Sequence, residues 1–139
     1  MIEIFILLFR ALFELLYLSE LSPTTSASAI AELVVQARIH NKTSGITGLL
    51  LFDGEHFIQS LEGEQVTVMA LMNRIECDDR HFNVTHLHKG FLETRQVQNF
   101  AMGYWYIEDE SSIMKLRRLR GQAAMDELRS RRGEFDVES

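Results

Sequence analysis

The sequence predicts an α+β domain of the ferredoxin-like plan, a β-α-β-β-α-β-β sandwich with two helices on one face of a five-stranded mixed sheet, plus a C-terminal helix. Three observations predict it. Short apolar runs of strand length alternate with two segments of helical periodicity. Asp53-Gly54 marks a hairpin between two of the runs. The order of elements is that of a split β-α-β unit, whose right-handed crossovers place the first and third strands side by side at the centre.

Phe13 to Ser19 (FELLYLS) is short, apolar and aromatic, the pattern of a buried strand. Ser22-Pro23-Thr24-Thr25 breaks it and offers hydroxyls to cap a helix. From Ala27 to Ile39, Ile30, Leu33, Val34 and Ala37 form one helical stripe, with Glu32 and Gln36 off it. Gly45 to Phe52 (GITGLLLF) and His56 to Leu61 are the arms of the hairpin, whose Asp-Gly pair suits a type I′ turn. Gln65 to Cys77 is the second helix, with Val68, Leu71, Met72 and Ile75 inward. Asn83 to Phe91 and Phe100 to Ile107 supply the last two strands, and Ser112 to Arg132 a helix interrupted at Gly121. Tyr17 and Gln59 therefore sit on the two central strands.

A chain of 139 residues fits one domain. A net charge of −6 argues against wholesale nucleic-acid binding. The single cysteine, Cys77, excludes an intrachain disulfide and any paired-cysteine zinc site, which suits a reducing cytoplasm. The leader MIEIFILLF is dense in apolar residues, but Glu3, Arg10 and Glu14 interrupt the stretch, and neither a basic start nor a small-residue cleavage site is present. A spanning helix needs about 20 apolar residues. Residues 1–11 are accordingly expected to form an apolar extension covering a sheet edge or a dimer seam, with no membrane insertion.

Several polar residues carry chemistry by type. Gln59 shares a sheet face with Phe57 and Leu61 by alternation, so its amide is buried and needs partners, an unpartnered amide costing ~1–3 kcal/mol. Tyr17 alone reads as core packing, but its phenol also offers an electron and a proton. Asn41 suits a helix C-cap as well as a ligand group. Arg74 and Asp78 lie four apart and suit a surface ion pair. His40 suits a cation at a helix end, and His81 a turn anchor. Cys77 is expected to be inert packing.

The stretch Asn41 to Gly63, NKTSGITGLLLFDGEHFIQSLEG, resembles the signature of the BLUF family of blue-light sensors: an Asn, a G-I-T-G-x-L strand, a turn, then F-x-Q-x-L-E-G. Tyr17-Leu18-Ser19 matches the family's Y-x-S ahead of it, and Asp78-Asp79-Arg80-His81 its D-x-R-H. Arg95 and Ala101-Met102 fall where the family has an Arg and then W-x-M, with Phe100 in place of the Trp. The resemblance runs from about Phe13 to Ile107 and implies FAD between the two helices. It implies Asn41 at the flavin C4 carbonyl and N3 edge, His40 near the C2 carbonyl, and Arg74 and Asp78 as contacts from the second helix. It further implies Gln59 between flavin and Tyr17, with Met102 flanking the glutamine.

Residues 12–108 are thus expected to be the sensory domain and residues 109–139 a helical tail for output or dimerisation. After Ile107 about 30 residues remain, too few for a catalytic domain. The expectation is a stand-alone photosensor, not an enzyme, that signals through a homodimer or higher oligomer or to a downstream protein partner. In the tail, Ile113, Leu116, Met125 and Leu128 suit an apolar stripe on the open sheet face. The tail also carries half of the chain's 14 basic residues, which suit a solvated side or a docking surface for an acidic partner or nucleic acid. The rival readings are a flavin-binding module without a photocycle and a small flavin redox enzyme. The second lacks a G-x-G-x-x-G dinucleotide motif.

Overall fold

The computed structural model describes residues 11–98, 101–108 and 110–137. The apolar leader, apart from Ala11, and Phe100 lie outside the described residues.

Five strands form one sheet: β1 (Leu12–Leu21), β2 (Thr47–Phe52), β3 (His56–Glu64), β4 (His81–Phe91) and β5 (Gly103–Tyr106). Their order is β4-β1-β3-β2-β5, all antiparallel neighbours except the parallel pair β2–β5. The first and third strands are neighbours at the centre, and Tyr17 faces Gln59 directly across them. Gly48 sits where a side chain would collide with the Ser60 carbonyl, 1.9 Å from an added Cβ, so the approach of β2 to β3 requires glycine.

Alternation along the strands sorts the side chains onto two faces. Tyr17, Leu15 and Leu61 pack with Val68 and Met72 of α2 (Gln65–Glu76), and Leu50, Phe57 and Met102 pack with Ile30 and Val34 of α1 (Ile30–Ser44). On the opposite face Leu16, Leu49, Leu51 and Ile58 bury Ile113 and Leu116 of α3 (Glu110–Arg118) and Met125 and Leu128 of α4 (Gln122–Ser130). The expected tail stripe is therefore core. The single interrupted helix is two helices, separated at Gly121, whose φ of 66° favours glycine and whose N–H donates to the Leu87 carbonyl at 2.7 Å. Leu87 is the extra residue where the β1–β4 register shifts between Leu16 and Tyr17, so a bulge in the edge strand receives the break in the tail.

Three local expectations change. The hairpin turns on Gly54-Glu55, not Asp53-Gly54. Of the two only Gly54 has positive φ (101°), as in a type II′ turn, and the Asp53 carboxylate accepts from the Glu55 and His56 N–H groups. The first helix begins with a 3-10 turn (Ala27–Ala29) and has no side-chain cap; Ser22 and Thr24 bond each other instead. That helix also runs on to Ser44 and is capped by Gly45 at φ 69°, which leaves Asn41 inside its last turn.

The face that holds the tail also buries charge. Glu14 and Glu62 stand directly opposite on β1 and β3, where two like charges repel. Arg129 of α4, expected on the solvated side of the tail, is turned inward. Its Nη2 reaches Glu14 at 2.5 Å and Glu62 at 3.0 Å, while its Nε is buried with no partner among the described residues. His88 contacts Glu14 at 2.8 Å, and Glu62 accepts from the Gln96 and Val97 N–H groups. Removing one member of such a buried set strands the others, typically at a cost of about 3–5 kcal/mol. Arg129→Ala is therefore expected to lose on this order in urea unfolding, while exposed Arg118→Ala stays within about 0.5 kcal/mol. Equal losses for the two variants would contradict the clamp.

Candidate functional site

Between α1, α2 and the sheet lies a cleft of about 420 Å³. Apolar side chains line its walls, Leu33 and Ala37 from α1, Leu71 and Ile75 from α2, Leu50 and Phe57 from the sheet. Tyr17, Asn41 and Gln59 lie within it, with His40, Arg74, Asp78, Arg80 and His81 also along the lining. An apolar slot with a few convergent polar groups is the usual form of a cofactor site.

The Tyr17 hydroxyl donates to Gln59 Oε1. The Gln59 amide nitrogen then points to Met102 Sδ at 3.5 Å, a weak acceptor. Burial raises the Tyr17 pKa above the ordinary phenol value, and the negative charge of Asp78 raises it further, so Tyr17 holds its proton firmly. Gln59 is 6% exposed and Asn41 2%. Asn41 Nδ2 donates to the Ala101 carbonyl at 3.4 Å, a long bond that leaves most of the capacity of its amide for a ligand. The helix extends through Asn41 because Gly45, not Asn41, takes the left-handed cap position, and this directs the Asn side chain to the cleft.

The expected pair Arg74–Asp78 is not formed. Arg74 donates to His40 Nε2, and burial followed by the Arg74 charge lowers the His40 pKa. His40 is thus a neutral acceptor at the cleft, not a helix-end cation. Asp78 takes a bidentate pair from Arg80, with Nη2 at 2.6 Å, and this hydrogen bonding lowers its pKa. The turn after α2 brings Arg80 back onto Asp78, a partner only two residues away that helical spacing does not reveal. Cys77 is exposed, not packed.

Sequence reasoning does not single out Arg38. Its Nε donates to the Met102 carbonyl at 3.0 Å and its Nη2 to the Asp136 carbonyl at 2.9 Å. Nothing in its spacing signals this, because both partners are distant in the chain. Arg95 stands out in the sequence only through the family resemblance. Its guanidinium ties Gly45 O, Thr47 Oγ1 and Glu62 O together.

The fold and the site define an α+β domain of the ferredoxin-like class, with a phenol and an amide hydrogen-bonded in a cleft of the kind that holds a cofactor. The chain belongs to the BLUF family, described as sensors of blue-light using FAD, whose model matches residues 12–103. Members of this family are blue-light photoreceptors that bind flavin. The chain is similar to the blue light- and temperature-regulated antirepressor BluF of Escherichia coli (strain K12), 38% identical over 88 residues, which are 63% of this chain and 22% of that protein. It is also similar to the photoactivated adenylate cyclase subunit beta of Euglena gracilis, 35% identical over 81 residues, covering 58% of this chain and 9% of that one. The chain thus spans under a quarter of the length of these relatives. Among solved structures, the dark-state structure of the BLUF protein BlrB aligns with a TM-score of 0.77 at 26% identity, over 88% of this chain and 95% of that one. Among the described residues no helix is long and apolar enough to cross a membrane.

His81 joins the site to stability. Its Nδ1 lies 3.0 Å from Ser19 Oγ and its ring centroid 4.8 Å from that of Phe57. Burial lowers its pKa below 6.5, Arg80 adding to the shift and Asp78 opposing it. The folded state thus favours the neutral ring. The unfolded chain binds more protons below the ordinary value, so the contribution of His81 is present above it and is lost as pH falls through the lowered folded value. The urea midpoint is expected to drop between about pH 7.5 and about pH 5.5, and to drop less in His81→Gln. An unchanged drop would assign the effect elsewhere.

Proposed function

We propose that this chain is a blue-light photoreceptor that binds FAD, with Tyr17, Gln59 and Met102 as its photochemical residues and His40, Asn41, Gln59, Arg74 and Asp78 as its flavin contacts. The observation that carries the reading is the Tyr17–Gln59–Met102 chain of contacts at the floor of the cleft. The cleft fits a flavin: its walls are apolar, its depth offers the under-used amide of Asn41, and neutral His40 and cationic Arg74 also line it. A second guanidinium, Arg80, lines the same cleft in a pair with Asp78, and with Arg74 it supports a flavin that carries phosphate.

Bound flavin supplies an aromatic ring that absorbs blue light and is a strong oxidant when excited. Tyr17 is the electron donor within the cleft, and its proton leaves along the bond to Gln59 Oε1. Gln59 presents an acceptor to Tyr17 and a donor to Met102, so rotation or tautomerisation of the amide exchanges the two roles. After the exchange the phenol faces an N–H, and the sulfur has lost its donor. No bond to carbon forms or breaks, so the change reverses in the dark.

Residues 12–108 act as the sensory domain and residues 109–139 as the output or dimer element, a division supported by the reach of the family model to residue 103. Output passes to a downstream protein or through a homodimer or higher oligomer. The free, exposed thiol of Cys77 is compatible with the reducing cytoplasm, where we place the protein.

The purified protein is expected to be yellow, with flavin bands that shift red in blue light and recover in darkness. Tyr17→Phe and Gln59→Leu should keep the flavin and lose the normal shift, read by absorption spectroscopy. An unshifted wild-type spectrum would sink the sensor reading, and a normal cycle in Tyr17→Phe would remove that residue as donor.

A further inference from the structure

Beyond the sheet core, residues 135–137 return to the edge strand β5. Asp136 and Tyr104 exchange both backbone hydrogen bonds, N–H to O at 2.8 and 2.7 Å, as an isolated antiparallel bridge. Phe135 is buried and meets the single tryptophan, Trp105, edge-on at 5.5 Å between ring centroids. The bridge is one residue pair long, so it is a weak attachment. Among the described residues it closes the free edge of the sheet at Tyr104.

Arg38 connects this attachment to the photochemical site. The side chain is largely buried, with its Nε on the Met102 carbonyl and its Nη2 on the Asp136 carbonyl. Both nitrogens belong to one rigid planar group, so the two carbonyls are held at a fixed separation. Met102 is also the residue whose sulfur accepts from the Gln59 amide. A continuous set of contacts therefore runs from Tyr17 through Gln59, Met102 and Arg38 to Asp136.

We propose that Arg38 is a positioning residue that couples Met102 to the C-terminal segment 135–137, so that rearrangement of Gln59 by light loosens that segment from the edge of β5. The proposal rests on the photosensor reading above and gives its output a route. When the amide turns, Met102 loses the donor on its sulfur and resettles. Its carbonyl moves with it, and the planar guanidinium cannot hold both carbonyls in their former places. The weaker attachment, the single-pair bridge, gives way. Loosened, it leaves the Tyr104 N–H and C=O without a protein partner, an edge that water or another extended strand then satisfies.

Amide hydrogen exchange on the flavin-loaded full chain, in darkness and under blue light, tests this at Tyr104 and Asp136. Wild type should exchange at these two amides roughly 5- to 30-fold faster in light, the loss expected for one or two hydrogen bonds. Arg38→Ala should exchange fast in both conditions and keep its flavin red shift. Arg38→Lys, with one nitrogen in place of a fork, should show a reduced difference between light and dark. Trp105 fluorescence follows the same contact through Phe135. If wild type shifts its flavin bands with no change at Tyr104 and Asp136, the coupling is overturned while the sensor reading stands. The coupling is overturned likewise if Arg38→Ala keeps the wild-type difference. A wild type with no flavin shift would instead overturn the sensor reading on which the coupling rests.

Discussion

Tyr17 donates to Gln59 because β1 and β3 run antiparallel with these two residues directly opposite. The bond depends on register. A slip of one residue would send the phenol to the other face of the sheet and leave the amide without its partner. Devices elsewhere in the molecule fix β3 against both of its neighbours. Gly48 lets β2 close against the Ser60 carbonyl, and Arg95 ties the start of β2 to β3. On the far face Arg129 spans Glu14 and Glu62, three residues before Tyr17 and three after Gln59. A buried charge clamp adds little net stability, but its geometry penalises a shifted strand strongly, because a shift strands its charges in the core.

The two faces of the sheet do different work with the same strands. The face toward α1 and α2 is lined by side chains with hydrogen-bonding capacity to spare, and the cleft there is open to a ligand. The face toward α3 and α4 is occupied by the tail helices, apolar around a charged centre. Since alternate residues of β3 serve the two sides, Gln59 and Ile58 are neighbours in the chain yet belong to different cores. The tail is continuous with the second core and returns to β5, which carries it to within one guanidinium of Met102.

Much of the fold was legible because its signals are local. Apolar runs, the turn glycine and helical stripes depend on a few neighbouring residues, and the central pairing of the first and third strands follows from the handedness of crossovers. The central position of Tyr17 and Gln59 followed from the same reasoning, and alternation alone buried the Gln59 amide. Three local readings change, each for its own reason. The hairpin turned on Gly54-Glu55 because the Asp53 carboxylate was spent on the Glu55 and His56 N–H groups. Asn41 was not the cap because Gly45 takes the left-handed conformation at less cost. Asp78 chose Arg80 over Arg74 because the turn after α2 folds Arg80 onto it in bidentate geometry.

By itself the sequence determined the order of elements and the class of fold, since these depend on periodicity, and through the family resemblance it pointed to Tyr17, Asn41 and Gln59, which line the cleft. Only the tertiary structure decided which polar groups meet. It turned Arg129 from the solvated side of the tail into the core, paired Arg74 with His40, and placed Arg38 between Met102 and Asp136. The physical reason is that long, flexible charged side chains take their partners from whatever folding brings within reach, and here the carbonyls and carboxylates they meet are far apart in the chain. Spacing along a strand or helix carries no record of such contacts.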